Sequence, residues 1–259
     1  RATAARRRFR FTPPPKAPMP KPLLPRDDGA PWRNFHGRRH GKQLRPGQEA
    51  HLEETLPKVS VPAVAWAENP ERTPIDLPAL FGGPREVWLE IGFGGGEHLL
   101  AQAQANPDTA LLGAEPFVNG VAMHLAAMER AGARNIRLHA GDARDLMEVL
   151  PAASISRAFV LYPDPWPKTR HHKRRFINPE NLDALARVLK HGAPQRDASD
   201  KHDYIRHSLE AVHPRDDFEW LAQRPSDWRE AWEDWPGTRY EAKALREGRT
   251  PCYLTFRRV

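Results

Sequence analysis

The sequence predicts an α/β fold in which a mainly parallel sheet is covered by helices on both faces. Four short apolar runs have the composition of buried strands, and helical patterns follow most of them. The first run meets a glycine-rich turn that leads directly into a helix. Parallel strands need crossover connections, which are usually helices, so this alternation favours an α/β class.

The elements that support this prediction begin near residue 86. The strands are predicted at Val87–Ile91, Ala110–Ala114, 136–140 and 158–162, and the helices at 98–106, 117–131 and 178–190. The first, second and fourth runs are apolar almost throughout, which is typical of strands that are buried on both faces.

Residues 1–47 differ in composition from the rest of the chain. They are rich in Arg, Lys, Pro and Gly and poor in aliphatic side chains. Such a segment buries too little apolar surface to offset the entropy lost on ordering. We therefore expect a flexible basic arm at 1–47 and one catalytic domain at 48–259. The arm either makes non-specific phosphate contacts or has no binding role.

The charge balance favours a polyanionic partner. The 259 residues include 40 Lys and Arg against 33 Asp and Glu, a formal net charge of +7. Cys252 is the only cysteine, so an intrachain disulfide is excluded and a reducing, cytoplasmic setting is expected. No apolar run approaches the roughly 20 residues that span a bilayer, so no membrane contact is expected.

A glycine-rich turn joins the first predicted strand to the first helix. Gly92, Gly94 and Gly96 fall in this turn, where glycine permits a positive φ and lets a ligand approach the backbone. Glu90 precedes the turn and Glu97 follows it, and two carboxylates there would repel the pyrophosphate of a dinucleotide. They suit a ligand that carries an amino group and a sulfonium charge, such as S-adenosylmethionine.

Two further acids follow the next strands. Glu115 ends the second strand, at the spacing where a carboxylate binds ribose hydroxyls. Asp142 follows the third strand, where it could accept a hydrogen bond from the adenine amino group. Each acid alone is more often a helix cap. Together with Glu90 they place three acids at the carboxyl edge of the sheet, where open α/β sheets bind ligands.

The segment after the fourth strand combines a rigid turn with a cationic run. Pro163, Pro165 and Pro167 stiffen a turn that holds Asp164 and Trp166. The basic run that follows suits the phosphates of an RNA backbone, and solvated charge runs seldom adjoin so rigid a turn. The residues expected to contact RNA are Arg170, His171, His172, Lys173, Arg174 and Arg175. The two histidines lack cysteine or acidic neighbours at ligand spacing, so no metal is expected.

With these motifs the sequence closely resembles the bacterial tRNA (guanine-N7)-methyltransferase family. The resemblance runs from about residue 39 to the C-terminus and is most specific at 90–97, 163–175 and 238–241. It implies a class I methyltransferase fold, which is Rossmann-like, with a seven-stranded sheet. It also implies S-adenosylmethionine as cofactor and tRNA as partner of a monomer or homodimer. The methylated guanine would lie in the variable loop of the tRNA.

The resemblance assigns roles to individual residues. Asp164 matches the family's catalytic aspartate, which also lies beside the cofactor. The expected cofactor-binding residues are the acids and glycines at the strand ends, namely Glu90, Gly92, Gly94, Gly96, Glu115, Asp142 and Asp164. The positions that match those holding the guanine are Lys168, Asp200, Thr238, Arg239, Tyr240 and Glu241.

The chemistry of guanine N7 fits these residue types. N7 has a free lone pair, so no base is needed to expose the nucleophile, and the main task is to align it with the methyl donor. Methylation places positive charge on the guanine ring, which carboxylates at Asp164, Asp200 or Glu241 would stabilise. Carboxylates can also accept hydrogen bonds from N1–H and the amino group, which distinguishes guanine from adenine.

One stretch departs from the family pattern. Where the family has an apolar strand, residues 192–200 include Pro194, Gln195 and Asp197. Proline removes a donor from the hydrogen-bond ladder, and burying an unpaired aspartate is costly. Either this strand is displaced or disordered, or Asp197 has a partner that the sequence does not reveal.

Two other functions remain open at this point. A class I methyltransferase that acts on another RNA base or on a protein could use the same cofactor edge. A non-catalytic tRNA-binding protein could retain the fold, as the altered stretch before Asp200 would allow. A dehydrogenase is disfavoured, because the acids around the glycine turn would repel a dinucleotide.

Overall fold

The computed structural model describes residues 33–259 of the chain. The strands are β1 (Val87–Ile91), β2 (Ala110–Ala114), β3 (Ile136–His139), β4 (Arg157–Leu161), β5 (Pro194–Ser199), β6 (Phe218–Trp220) and β7 (Cys252–Arg258). The helices are α1 (Pro46–Ala50), α2 (Leu56–Val59), α3 (Leu77–Phe81), α4 (Glu97–Ala105), α5 (Val118–Ala131), α6 (Ala143–Val149), α7 (Pro179–Val188), α8 (His202–Val212), α9 (Ser226–Arg229) and α10 (Arg239–Arg246). A π-helical turn (His51–Thr55) joins α1 to α2, and a 3-10 helix (Thr169–Arg174) precedes α7.

In these residues the strands form one seven-stranded sheet in the order β3-β2-β1-β4-β5-β7-β6. Strands β1 to β5 pair in parallel, and β7 runs antiparallel to both of its neighbours. The predicted α/β class and the mainly parallel seven-stranded sheet are confirmed. The strand order reverses between β1 and β4, so the carboxyl ends of these strands border a crevice of the kind that binds ligands.

Both faces of the sheet are buried. Successive residues of a strand point to opposite faces. In β1, Trp88 joins the apolar cluster on one face together with Leu111 and Phe159. The next residue, Leu89, joins the cluster on the other face together with Leu112. This double burial explains why the β1 and β2 sequences are nearly continuous apolar runs.

Strand β5 forms despite its polar sequence. It pairs with β4 in parallel and with β7 in antiparallel fashion. Gln195 and Asp197 are both buried, and the Gln195 amide donates a hydrogen bond of 3.0 Å to the Asp197 carboxylate. Burial raises the pKa of Asp197 to about 7, and this hydrogen bond opposes the rise. The strand is therefore in place, and Gln195 is the partner of Asp197 that the sequence did not reveal.

The predicted basic arm falls partly outside the described residues, which begin at residue 33. Residues 33–45 contain no helix or strand and run along the carboxyl edge of the sheet. We call residues 33–45 the strap. Among the residues that the structure describes, no helix is long and apolar enough to cross a membrane.

The strap is held at both ends. At its start, Arg33 forms ion pairs with Asp145 and Glu148 on α6. Further along, the N–H of Val118 at the start of α5 donates to the carbonyl of Arg39 at 2.9 Å. These contacts fix the segment above the ends of the strands.

Candidate active site

A cavity of about 820 Å³ opens at the carboxyl edge of the sheet. The ends of β1, β2 and β4 and the loops after them form its walls, and the strap borders one side. The residues predicted from the sequence that line it are Gly92, Gly94, Glu115, Asp142, Asp164, Lys173, Arg174, Arg175 and Tyr240. The topology thus brings residues from five separate parts of the sequence to one site.

Glu115 holds the glycine turn in place. Gly92 and Gly94 adopt φ values of 73° and 57°, in the left-handed region that glycine tolerates. The N–H groups of Gly94 and Phe117 donate to the two carboxylate oxygens of Glu115 at 2.6 and 2.8 Å. Burial raises the pKa of Glu115, and the two backbone hydrogen bonds oppose that rise. Each oxygen can still accept a further bond, so Glu115 can serve a ligand hydroxyl while it fixes the turn.

Replacing Glu115 with alanine is expected to weaken cofactor affinity by about 1.5–3 kcal/mol, the cost of losing hydrogen bonds to a charged group. Calorimetric titration with S-adenosylmethionine would measure the loss. Glu180→Ala, which removes another acid that lines the cavity, is the matched control. If the Glu115 variant binds the cofactor as tightly as the control does, the ribose contact belongs to a different acid.

Asp142 combines a helix cap with a place in the cavity wall. Its carboxylate accepts a hydrogen bond of 3.0 Å from the N–H of Arg144 and so caps α6. The Arg144 guanidinium also pairs with it at 2.6 Å. Burial alone would raise the pKa of Asp142, but these contacts lower it below the usual aspartate value. Asp142 is therefore charged at neutral pH where it lines the cavity.

Glu90 and Gly96 support the turn from behind. Glu90 is buried and does not line the cavity, and its carboxylate lies 2.7 Å from the ring of the equally buried His98. Gly96 precedes α4, and a Cβ there would come within 1.9 Å of the His124 ring. Glu90 and Gly96, both predicted to bind the cofactor, thus pack behind the glycine turn and do not line the cavity.

The turn after β4 carries Asp164 into the cavity with a strained backbone. Tyr162 and Trp166 have φ values of 49° and 42°, which are costly for residues with a Cβ. Solvent reaches Asp164 through the open mouth, yet the surrounding protein desolvates its carboxylate and raises its pKa. Strain of this kind persists only where the surroundings enforce it, and it is common at functional sites.

Arg175 enforces that geometry from inside the protein. Its side chain is 1% exposed, and its Nε donates to the carbonyl of Pro165 at 2.8 Å. The guanidinium also pairs with Asp203 and lies over the Tyr204 ring at 5.4 Å. The sequence-based assignment of Arg175 to the RNA-facing set does not fit this position. It ends the basic run but turns inward, where internal acceptors occupy its donors.

The rest of the basic run, residues 168–174, leads up to the cavity, and its last two residues, Lys173 and Arg174, line it. We call residues 168–174 the basic segment. Lys168, Arg170 and Lys173 are exposed. His171 contacts the Trp166 ring edge-on at 6.0 Å. Desolvation and the neighbouring cations lower the pKa of His171 below its usual value, so the basic segment carries its charge mainly on lysine and arginine.

The predicted guanine-binding residues on α10 reach the cavity through Tyr240. Thr238 caps the helix, since its Oγ1 accepts a hydrogen bond of 3.1 Å from the Glu241 N–H. Arg239 pairs with Glu97 at the start of α4 and so ties α10 to the glycine turn. Tyr240 is 47% exposed and lines the cavity beside that turn.

Two other predicted guanine-binding acids are engaged by protein groups and do not line the cavity. Glu241 is buried and accepts hydrogen bonds from the Trp235 ring N–H at 2.8 Å and from the Tyr253 hydroxyl. Asp200 forms an ion pair with Arg249, and this contact helps to lower its pKa although burial opposes it.

Two parts of the cavity wall were missed by sequence reasoning. The Tyr162 ring lies 6.4 Å from the Tyr240 ring and within 20° of parallel to it. The strap supplies the other part, residues 33–38. The aromatic residue just before the proline-rich turn was a usable signal for Tyr162, whereas the composition of the strap gave none.

The acidic groups around the cavity suit S-adenosylmethionine. The carboxylates of Glu115, Asp142 and Asp164, which follow the ends of the strands, border it and match a ligand with cationic groups and ribose hydroxyls. Glu97 occupies the start of α4, where a dinucleotide would place its pyrophosphate. The volume lies within the roughly 300–1,000 Å³ that is usual for small-molecule sites. Within residues 33–259, no cluster of His, Cys, Asp or Glu has the arrangement of a metal site.

Comparisons with known proteins agree with this geometry. Residues 84–254 match a family model described as "Putative methyltransferase". A tRNA (guanine-N(7)-)-methyltransferase of Ruegeria sp. (strain TM1040) is 64% identical over 230 residues, which cover 89% of each chain. The enzyme of that name from Ruegeria pomeroyi is 62% identical over 229 residues, or 88% of this chain and 96% of the relative.

The fold has counterparts among solved structures. The antibiotic-resistance methyltransferase Kmr superposes with a TM-score of 0.50 at 20% sequence identity, covering 71% of this chain and 92% of that one. At this level of identity the likeness supports the class I methyltransferase fold alone.

Proposed function

The chain belongs to the tRNA (guanine-N7)-methyltransferase family, and we propose that it transfers a methyl group from S-adenosylmethionine to N7 of a guanine in the variable loop of tRNA. The observation that carries this proposal is the acid-lined cavity at the carboxyl edge, which opens onto the basic segment. S-adenosylmethionine carries a cationic sulfonium, which suits the acids of the cavity, and tRNA is a polyanion, which suits the basic segment.

The residues of the cavity would divide the work as follows. Glu115 and Asp142 hold the cofactor, whose sulfonium supplies an electrophilic methyl group when bound. N7 would form the new C–N bond with its lone pair as the C–S bond electrons stay with the departing sulfur, so no residue of the cavity would have to remove a proton from the guanine. Asp164 lines the cavity and would stabilise the positive charge that develops on the guanine ring.

Aromatic rings offer a support for the guanine. Tyr240 is exposed in the cavity, and its ring is nearly parallel to that of Tyr162. Stacking on such a ring is favourable for any base and holds the base plane in a fixed direction. Arg239, through Glu97, fixes the helix that carries Tyr240. This arrangement serves the alignment of N7 with the methyl group.

The reaction itself can be tested directly. The full chain is incubated with an unmodified tRNA transcript and methyl-labelled S-adenosylmethionine, and the nucleosides are then separated. We expect label only in 7-methylguanosine, and only when the transcript has a guanine in its variable loop. Label in another nucleoside, or none at all, would refute the proposal and favour one of the alternatives left open by the sequence.

Neutralising the basic segment is expected to weaken tRNA binding and to reduce its salt dependence. The double variant Arg170→Ala/Lys173→Ala loses two exposed cations near the cavity. Each phosphate contact that is lost lowers the magnitude of the slope of log K against log salt concentration by about 0.7–0.9. Binding assays across a salt series would measure both effects.

The control for this variant is Arg130→Ala/Arg134→Ala. It changes the net charge by the same amount. Arg130 lies in the last turn of α5 and Arg134 just after the helix, and both side chains are exposed. If both double variants lose the same small affinity, the basic segment contributes only bulk charge and does not dock the RNA.

The cellular setting follows from the substrate. We propose that the enzyme acts in the cytoplasm, where tRNA is the available polyanion of this kind. The buried free thiol of Cys252 is compatible with a reducing compartment.

A further inference from the structure

The strap, residues 33–45, borders the cavity next to the basic segment. The two meet at Trp166, whose ring contacts His36 of the strap at 6.2 Å and His171 of the basic segment at 6.0 Å. Both segments also line the same cavity. A polynucleotide that places a base in the cavity therefore comes close to both segments.

The strap carries exposed cations that have no carboxylate partner. Arg38, Arg39, Lys42 and Arg45 are all exposed. None of them forms an ion pair with a carboxylate in the part of the chain that the structure describes. Arg33, by contrast, is neutralised by Asp145 and Glu148 at the anchored end. The cations without a carboxylate partner thus lie in the second part of the strap, residues 38–45.

The position of these cations is fixed by the backbone. The Gly41 N–H donates to the side-chain oxygen of Asn119 at 2.6 Å, and the Asn119 amide donates to the carbonyl of Lys42 at 2.8 Å. The N–H of Val118 binds the carbonyl of Arg39 just before. One turn of α5 therefore holds three peptide groups of the strap, and the side chains between them project from a fixed backbone.

We propose that the strap is a second row of phosphate contacts for tRNA, which flanks the cavity mouth together with the basic segment. The inference rests on the proposed function, because it takes tRNA as the polyanion whose guanine enters the cavity. Two neighbouring rows of cations at the mouth can contact successive phosphates near the target nucleotide. Such contacts fix the register of the RNA and leave the choice of base to the cavity.

The test compares two charge-matched double variants of the full chain, Arg38→Gln/Lys42→Gln in the strap and Arg130→Gln/Arg134→Gln at the far end of α5. Binding of a tRNA transcript is measured from about 50 to 200 mM salt, the range over which phosphate contacts change affinity strongly. We expect the strap variant to bind about 10- to 60-fold more weakly at about 0.1 M salt, with a slope reduced by about 1.4–1.8. Equal small losses in both variants would overturn the proposal.

A third variant tests whether the cations of the strap must be held in fixed positions in order to bind tRNA. Asn119→Ala removes two anchors of the strap and changes no charge. We expect weaker tRNA binding with an unchanged affinity for S-adenosylmethionine. Wild-type tRNA affinity in this variant would show that the cations need no fixed position, and the proposed row would then be rejected.

The outcome is independent of the test of the reaction. If the wild-type chain fails to methylate guanine N7, the proposed function falls, whereas the binding comparison still decides whether the strap contacts RNA. If methylation is confirmed and the strap variant binds like its control, only the second row is lost.

Discussion

Replacing Asp164 with alanine is expected to lower kcat by about 10²- to 10³-fold, the usual cost of removing one group that stabilises charge in a transition state. Asp164 lies on a rigid turn at the cavity, and positive charge develops on the guanine as the methyl group arrives. Because N7 needs no deprotonation, the loss comes from electrostatics and alignment and not from a missing base. Single-turnover methylation of a tRNA transcript would measure it.

Two controls make this result specific. Glu180→Ala removes another carboxylate that lines the same cavity and should keep near-normal turnover. Thermal unfolding of both variants should match wild type, since Asp164 is reached by solvent and its loss leaves no buried void. Near-normal turnover by the Asp164 variant would contradict its assignment as the catalytic residue.

The stability of the wild-type protein is expected to fall by about 4 kcal/mol, relative to Asp197→Asn, between about pH 4 and pH 7. Burial raises the pKa of Asp197 from 3.8 in its usual state to about 7 in the fold. The folded protein therefore holds a proton that the unfolded chain has already released. The bound proton stabilises the fold fully below the pKa that Asp197 has in the unfolded chain. This stabilisation is lost as the pH rises through the higher pKa that Asp197 has in the folded protein.

Asparagine should remove this dependence because it resembles the protonated acid. The Gln195 amide already donates to the Asp197 carboxylate, and the Gln195 side-chain oxygen is buried without a partner in the described structure. An asparagine amide can donate to that oxygen, as the protonated carboxyl can. Replacing Asp197 would thus satisfy an acceptor that the ionised form leaves unpaired.

Urea unfolding at a series of pH values would test the expectation. The difference between Asp197→Asn and wild type should grow as the pH rises and level off above about pH 7. Asp108→Asn, at an exposed position, should show no such trend. Parallel curves for wild type and Asp197→Asn would mean that the buried carboxyl is not protonated in the fold.

The parts of the fold that follow from local pattern were accessible from the sequence. The bounds predicted for β1 and β2 agree with the structure, because both strands are buried on both faces and read as apolar runs. Strand β5 could not be predicted in this way. Arg196 binds the distant Asp234 at 2.6 Å and lies over Trp232, and Gln195 binds Asp197 within the strand. The apolar pattern that identifies β1 and β2 reveals neither kind of contact.

The candidate site also combines features that the sequence could predict with features that it could not. The glycine turn and the acids at the strand ends could be found because a parallel sheet collects the ends of its strands at one edge. The inward turn of Arg175 and the bond between Glu90 and His98 depend on tertiary packing, which spacing does not encode. The strap lies in a segment whose composition predicts flexibility, yet α5 and α6 supply the partners that position it.

The place of β7 in the sheet has a consequence for the order of folding during synthesis. In the part of the chain that the structure describes, strand β6 pairs with β7 alone, and β7 also covers the edge of β5, although β7 leaves the ribosome after both of them. Domains fold during synthesis, which proceeds at about 5–20 residues per second. The half that holds Glu115 and Asp142 can assemble first, whereas β5 keeps an open edge until β7 arrives. Nascent chains therefore complete the part of the cavity that carries Glu115 and Asp142 before β5 gains its antiparallel partner, and meanwhile the charged residues and Pro194 of β5 protect its open edge from pairing with other chains.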